Sequence, residues 1–230
     1  MESVKCLCGG TLITARHVLT AAHCAINGEG IGPDTVRLGD TDLNSATDDD
    51  LAQQIKIRKF KKHPQYRPSR KYFDIALIEL ENPAENSEAV CSACLWLEKT
   101  VPSEIFSVIG FGTLGFGENL SPTLQKVKLA IMNHTECIHR IHTGTRALPN
   151  GLLEEQFCAG GETMDTCEGD SGGPIQTEKF VVNGSQIPLI VGVVSFGTPF
   201  TEGSTGVYTR VASYRKWIES ETNQTFGYVG

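Results

Sequence analysis

Short β-type runs of apolar residues dominate this chain, and turn residues separate the runs. In "QKVKLAIM" the apolar Val127, Leu129 and Ile131 alternate with Lys126, Lys128 and Ala130, the spacing of a strand with one buried face. The runs "GGTLI", "HVLTA", "TVRLG", "QIKIRKF", "DIALIEL", "FSVIGFG", "LIVGVVSFG" and "GVYTRV" read as further strands. Many such strands with Gly and Pro punctuation predict an all-β sandwich or barrel. One segment departs from the period: in "SYRKWIESE" Tyr214, Trp217 and Ile218 fall on one side at helical spacing, with Ser213 available as N-cap. The acidic run "DTDLNSATDDD" lies between two strand candidates and reads as an excursion from the sheet, not a domain boundary. No internal repeat and no low-complexity linker is visible.

Length and charge narrow the class. A chain of 230 residues can bury a substantial core. A formal net charge of -7 argues against a general nucleic-acid binder, which needs surplus Lys and Arg to neutralise phosphates. The longest apolar stretch, "IPLIVGVVSFG", is too short to cross a bilayer and is broken by Pro188 and Gly192, so no membrane partner is expected. Eight cysteines without a pair of CxxC motifs at zinc spacing suggest a disulfide framework made outside the cytosol. The sequons at Asn119, Asn133, Asn183 and Asn223 point the same way. The start, "MESVKCLCGG", has neither the basic nor the apolar region of a signal peptide. The expectation is therefore either a chain secreted from a longer precursor or an incomplete reading of one.

Three distant segments hold the residue types of a nucleophile relay: "TAAHC" with His23, "YFDIALIEL" with Asp74, and "GDSGGP" with Ser171. A serine hydroxyl is a poor nucleophile, so a base must take its proton and return it to the leaving group, and an acid must hold that base in the right tautomer. Taken alone, Gly172 and Gly173 before Pro174 form a tight polar turn. The matching His and Asp segments favour the nucleophile reading.

These motifs resemble the catalytic domain of the chymotrypsin/trypsin family of serine proteases. The resemblance runs from "CGGTLITARHVLTAAHC" through "FDIALIEL", "LSPTLQKV", "FCAGG" and "GDSGGP" to "VVSFG" and "GVYTRV", in the family's order. It implies two six-stranded antiparallel β-barrels, the first N-terminally truncated, over about residues 1–100 and 101–230, with a C-terminal α-helix. The catalytic residues it implies are His23, Asp74 and Ser171, with the N–H groups of Gly169 and Ser171 as oxyanion hole. Asp165 is expected at the base of the specificity pocket and Ser195, Gly197 and Gly206 in its walls. A buried carboxylate there needs a cationic partner, so cleavage after Arg or Lys is expected. In the family, the acid before the nucleophile, here Asp170, pairs with an N-terminus released by zymogen cleavage. Only seven residues precede Cys8, so the chain is expected to lack that group.

The resemblance also implies disulfides Cys8–Cys24 and Cys137–Cys158. Cys167 has no partner after "SFG", and Cys6 and Cys91 have none that can be assigned. Cys94 resembles the cysteine that ties many multidomain members to a pro-region. With "RLGDTDLN" and "KKHPQY" it makes the chain similar to arthropod clip-domain proteases of the snake or persephone kind. These act in extracellular cascades of immunity or development. The implied partners are a protein substrate, either a zymogen or a cytokine precursor, and a serpin-type inhibitor. No cofactor is required; Asp40 and Asp42 sit where such proteases often bind calcium, against the plainer reading of a solvated acidic loop. The alternative function is a catalytically silent regulatory protein of the same fold, which the persistence of all three relay residues disfavours.

Overall fold

The computed structural model describes residues 8–45, 50–100, 105–113, 119–141, 143–161, 169–182, 185–198 and 205–227. Twelve strands and two short α-helices occur among them, in chain order. The first sheet contains β1 (Thr11–Thr14), β2 (His17–Thr20), β3 (Thr35–Leu38), β4 (Gln53–Lys62) and β5 (Ala76–Leu80), ordered β1-β2-β5-β4-β3. The second contains β6 (Cys94–Leu95), β7 (Ile105–Gly110), β8 (Gln125–Met132), β9 (Gln156–Gly160), β10 (Pro174–Val182), β11 (Ser185–Gly197) and β12 (Thr205–Arg210).

The two sheets close differently. In the second, β10 pairs with both β7 and β11, so six antiparallel strands form a ring. The two-residue β6 adds to β11 in parallel, so Cys94 lies on the second sheet although it precedes the barrel boundary expected near residue 100. In the first, β1 and β3 are edges that do not pair with each other among the described residues, which leaves a five-stranded half-barrel, in keeping with the N-terminally truncated first barrel that was expected. Three strands went unlisted by periodicity: β6 is only two residues long, β9 is buried at every position, and β10 carries polar residues among its apolar ones. Helix α1 (His134–Arg140) was also unforeseen; Asn133 caps it by accepting the Glu136 N–H at 2.8 Å.

Each sheet has its own core, and a third cluster joins them. Leu12, Val18, Ile55, Ile78 and Leu80 fill the first, and Phe106, Leu129, Phe157, Ile175 and Tyr208 fill the second. Ile13, Leu19, Ile75 and Leu77 meet Ile190, Val193, Val211, Tyr214 and Ile218 across the seam. Helix α2 (Arg215–Thr222) belongs to this seam cluster, with Ile218 fully buried. Ser213 does not cap it: residues Val211–Tyr214 form a 3-10 turn, and Tyr214 precedes the helix without a side-chain cap. Burial of Val211 and Tyr214 draws this turn inward.

The acidic loop is more than a solvated excursion. Leu43 N–H donates to the carbonyl of Pro122 and Leu124 N–H to that of Thr41, each at 2.8 Å, so the loop docks on the segment leading into β8.

Candidate active site

His23 lies in a 3-10 turn, Ala22–Ala25, directly after β2. The turn is braced on one side by burial of Ala22 and Cys24, and on the other by the Cys8–Cys24 disulfide. Asp74 enters from the segment before β5 and is almost wholly buried, at 3% exposure. Its Oδ2 lies 2.7 Å from His23 Nδ1, and its Oδ1 accepts the His23 backbone N–H at 2.9 Å. A carboxylate on Nδ1 fixes that nitrogen as the protonated one and leaves Nε2 to act on a substrate or nucleophile.

The same carboxylate takes a further donor. Ser195 Oγ–H, at the end of β11, donates to Asp74 Oδ2 at 2.5 Å. Burial raises the Asp74 carboxyl, but the hydrogen bonds and charge of His23 and the hydroxyl of Ser195 outweigh it and hold the group below the usual carboxylate range. The sequence assigned Ser195 only to the pocket wall. Its hydroxyl in addition donates to Asp74, a contact between segments too distant for spacing to reveal.

Ser171 is fixed by its backbone. Its carbonyl accepts Gly9 N–H at 2.8 Å, and the Gly9 carbonyl accepts Thr20 Oγ–H at 2.8 Å. The Ser171 loop is thereby tied to the same β1–β2 region that carries His23. This approach explains Gly172, which has φ +80°: a Cβ there would lie 2.3 Å from Thr20 Oγ1 and 2.6 Å from the Gly9 carbonyl. Gly172 N–H and Val194 N–H each make a 2.9 Å bond across the loop, to Val194 and Gly173 carbonyls. Gly169 also adopts positive φ, +101°. The Asp170 carboxylate accepts Gly112 N–H at 2.9 Å and lies against Gly110 and Gly112, where any side chain would collide with it.

Gly197 and Gly206 are direct partners in the β11–β12 ladder. A Cβ on Gly197 would meet the Thr205 carbonyl at 2.9 Å. Lys71, three residues before Asp74, sets its ammonium 5.3 Å from the ring centroid of Phe196, the neighbour of Ser195. Asp165 and Cys167 lie outside the described residues, as do Cys6 and Asn183.

Both expected disulfides are present, Cys8–Cys24 and Cys137–Cys158. Cys91 and Cys94 are thiols, exposed and half-buried respectively. Asp40 and Asp42 are engaged within their loop: Asp40 pairs with Arg37 and accepts the Asp42 N–H, and Asp42 accepts the Asn44 N–H.

The arrangement of a buried carboxylate, an imidazole and a serine loop on two opposed β-sheets defines a serine protease domain. The trypsin family profile matches residues 1–218, and the chain belongs to that family. It is 41% identical over 225 residues to serine protease snk of Drosophila melanogaster, covering 95% of this chain and 49% of that one. It is 31% identical to CLIP domain-containing serine protease C9 of Anopheles gambiae, covering 97% of this chain and 62% of the other. The chain thus spans less than two thirds of these relatives' length. Among solved structures, mouse neuropsin superposes with a TM-score of 0.77 at 30% identity, over 94% of this chain and 89% of its own.

Proposed function

We propose that this chain is the catalytic domain of a secreted serine endopeptidase that cleaves protein substrates after Arg or Lys in an extracellular cascade. One observation carries the catalytic part: Asp74, buried and held as a carboxylate, bonds His23 Nδ1 at 2.7 Å beside the loop that presents Ser171. Ser171 Oγ attacks the substrate carbonyl, and His23 Nε2 takes its proton. The bond to the leaving amine then breaks as His23 returns the proton to nitrogen, leaving an acyl ester on Ser171. Water deacylates it through the same base. The N–H groups of Gly169 and Ser171 receive the developing oxyanion, for which each donor is worth about 10²- to 10³-fold in rate.

The substrate reading rests on Asp165 together with the small residues Gly197 and Gly206, which leave space for a long cationic side chain. Similarity to snk and to a CLIP domain-containing protease supports a place in an insect extracellular cascade, with a zymogen or cytokine precursor as substrate. Secretion and glycosylation accord with the two disulfides and with exposed Asn119, Asn133 and Asn223. A calcium ion at the Asp40–Asp42 loop remains a proposal, tested by thermal unfolding with and without added calcium.

The deciding experiment treats the activated full-length protein with a fluorophosphonate probe and with peptides varied at the cleaved position. Labelling confined to Ser171, abolished in S171A, and preference for Arg or Lys are expected. Absence of labelling sinks the catalytic reading, and preference for Phe or Leu sinks the assignment of Asp165.

A further inference from the structure

The residue delivering Asp74 to the site has an unusual backbone. Phe73 has φ +56°, and only one other non-glycine among the described residues, Asn223, shares a positive φ. A bulky aromatic residue in the left-handed region is strained and persists only where its surroundings over-determine it. Those surroundings are three other rings. His63 stacks on Phe73 with centroids 5.4 Å apart and planes 8° from parallel, and Tyr214 meets Phe73 edge-on at 6.5 Å. His63 is itself boxed by Tyr214 at 5.2 Å and Trp217 at 5.1 Å. Its backbone N–H donates to the Ile75 carbonyl at 3.0 Å, and Nδ1 accepts the Gln65 N–H at 3.3 Å.

The backbone around Asp74 leaves it little freedom once Phe73 is set. Ile75 N–H donates to the Phe73 carbonyl at 2.9 Å, closing a three-residue turn centred on Asp74. Thr209 Oγ–H holds the Asp74 carbonyl at 2.9 Å. From this turn the carboxylate makes its three bonds to His23 and Ser195, all between 2.5 and 2.9 Å.

We propose that Phe73 is a positioning residue for Asp74: its ring, stacked on His63 and edged by Tyr214, holds the left-handed backbone from which Asp74 reaches both His23 and Ser195. The proposal rests on the reading of Asp74 as the group that orients His23. Relaxing Phe73 to an ordinary φ rotates the peptide joining it to Asp74 and swings the carboxylate off His23 Nδ1. A misplacement on the order of 1 Å costs about 10²-fold in such sites.

The test compares F73A, F73N and H63A in the activated full-length protein. F73A removes the ring and keeps the strain, F73N removes the ring but tolerates the left-handed region, and H63A removes the stacking partner alone. F73A is expected to lose about 10- to 100-fold in kcat with KM little changed. The acid limb of its kcat/KM profile should move to lower pH as His23 loses its carboxylate. F73N should retain more activity than F73A, and H63A should fall in the same direction as F73A. Independently of turnover, the downfield proton resonance of His23 Nδ1–H should shift or broaden in F73A and persist in F73N.

An unchanged resonance and acid limb in folded F73A would overturn the proposal, as would equal losses in F73A and F73N that follow their melting temperatures. Should F73A not fold, H63A and F73N carry the same comparison. If the wild-type protein takes up no fluorophosphonate, the catalytic reading fails, while the resonance comparison still decides the role of Phe73.

Discussion

The hydroxyl of Ser195 and the carboxylate of Asp74, 121 residues apart in the chain, meet at 2.5 Å in the buried seam between the two sheets. Asp74 therefore has donors on both oxygens: His23 N–H on Oδ1, and the His23 ring and Ser195 together on Oδ2. Charge-assisted bonds of this kind stabilise the ionised carboxylate against its burial.

Replacing Ser195 by alanine removes one donor and leaves the carboxylate buried. A hydrogen bond to a charged group is worth about 1.5–3 kcal/mol. S195A should therefore lose roughly 10- to 100-fold in kcat/KM. Replacing Asp74 by asparagine should do far more, on the order of 10⁴-fold in kcat, because the imidazole is then held in the wrong tautomer. Steady-state kinetics on an Arg peptide across pH measures both.

Gly172→Ala should damage stability and chemistry together. Its φ of +80° strains any side chain, and the added Cβ would lie 2.3 Å from Thr20 Oγ1 and 2.6 Å from the Gly9 carbonyl. The contact cannot relax without parting the Ser171 loop from the segment that carries His23. A loss of at least about 1–3 kcal/mol is expected, read as a lower melting temperature with weaker fluorophosphonate labelling. Gly28→Ala is the control, since nothing lies within 4 Å of a Cβ there.

Acid should weaken the fold before its carboxylates titrate. Burial lowers the pKa of His63, and burial, with Lys61 and Arg16 adding to it and Glu79 opposing, lowers that of His17. The unfolded chain then binds these protons first, so their contribution is complete above the ordinary value of 6.5 and is lost as pH falls from there through the folded values. Asp74 behaves as a depressed carboxylate: its contribution is present above the ordinary value of 3.8 and is lost only as pH falls through its lower folded value. Melting temperature against pH should thus begin to drop near 6.5. H63F, which keeps a ring in the aromatic box, should flatten that first drop.

The Cys8–Cys24 bridge closes a short loop around β1 and β2, with a sequence separation of 16. In the chain-entropy account such a loop is worth about 3 kcal/mol. The double change C8A/C24A should lower the melting temperature and also reduce labelling of Ser171, since the bridge braces both His23 and the Gly9 contact to the Ser171 carbonyl. Loss of stability with labelling per folded molecule unchanged would show the brace to be purely structural.

Local patterning determined much of this protein. Alternation in "QKVKLAIM" marked β8, the helical spacing of Tyr214, Trp217 and Ile218 marked the face that α2 and the 3-10 turn before it turn inward, and "TAAHC", "YFDIALIEL" and "GDSGGP" carried the three candidate relay residues. Those features arise from neighbours along the chain, so periodicity and short motifs can report them. Tertiary structure alone decided the rest. Ser195 gained a role as a donor on Asp74, Gly172 proved to be where two segments pass too closely for a Cβ, and the acidic loop docked on Pro122–Leu124. Phe73 took a left-handed backbone that no local propensity favours. Each of these depends on contacts between residues far apart in the chain, and such contacts can override local preference because the packed seam holds the groups at fixed distances that sequence spacing does not encode.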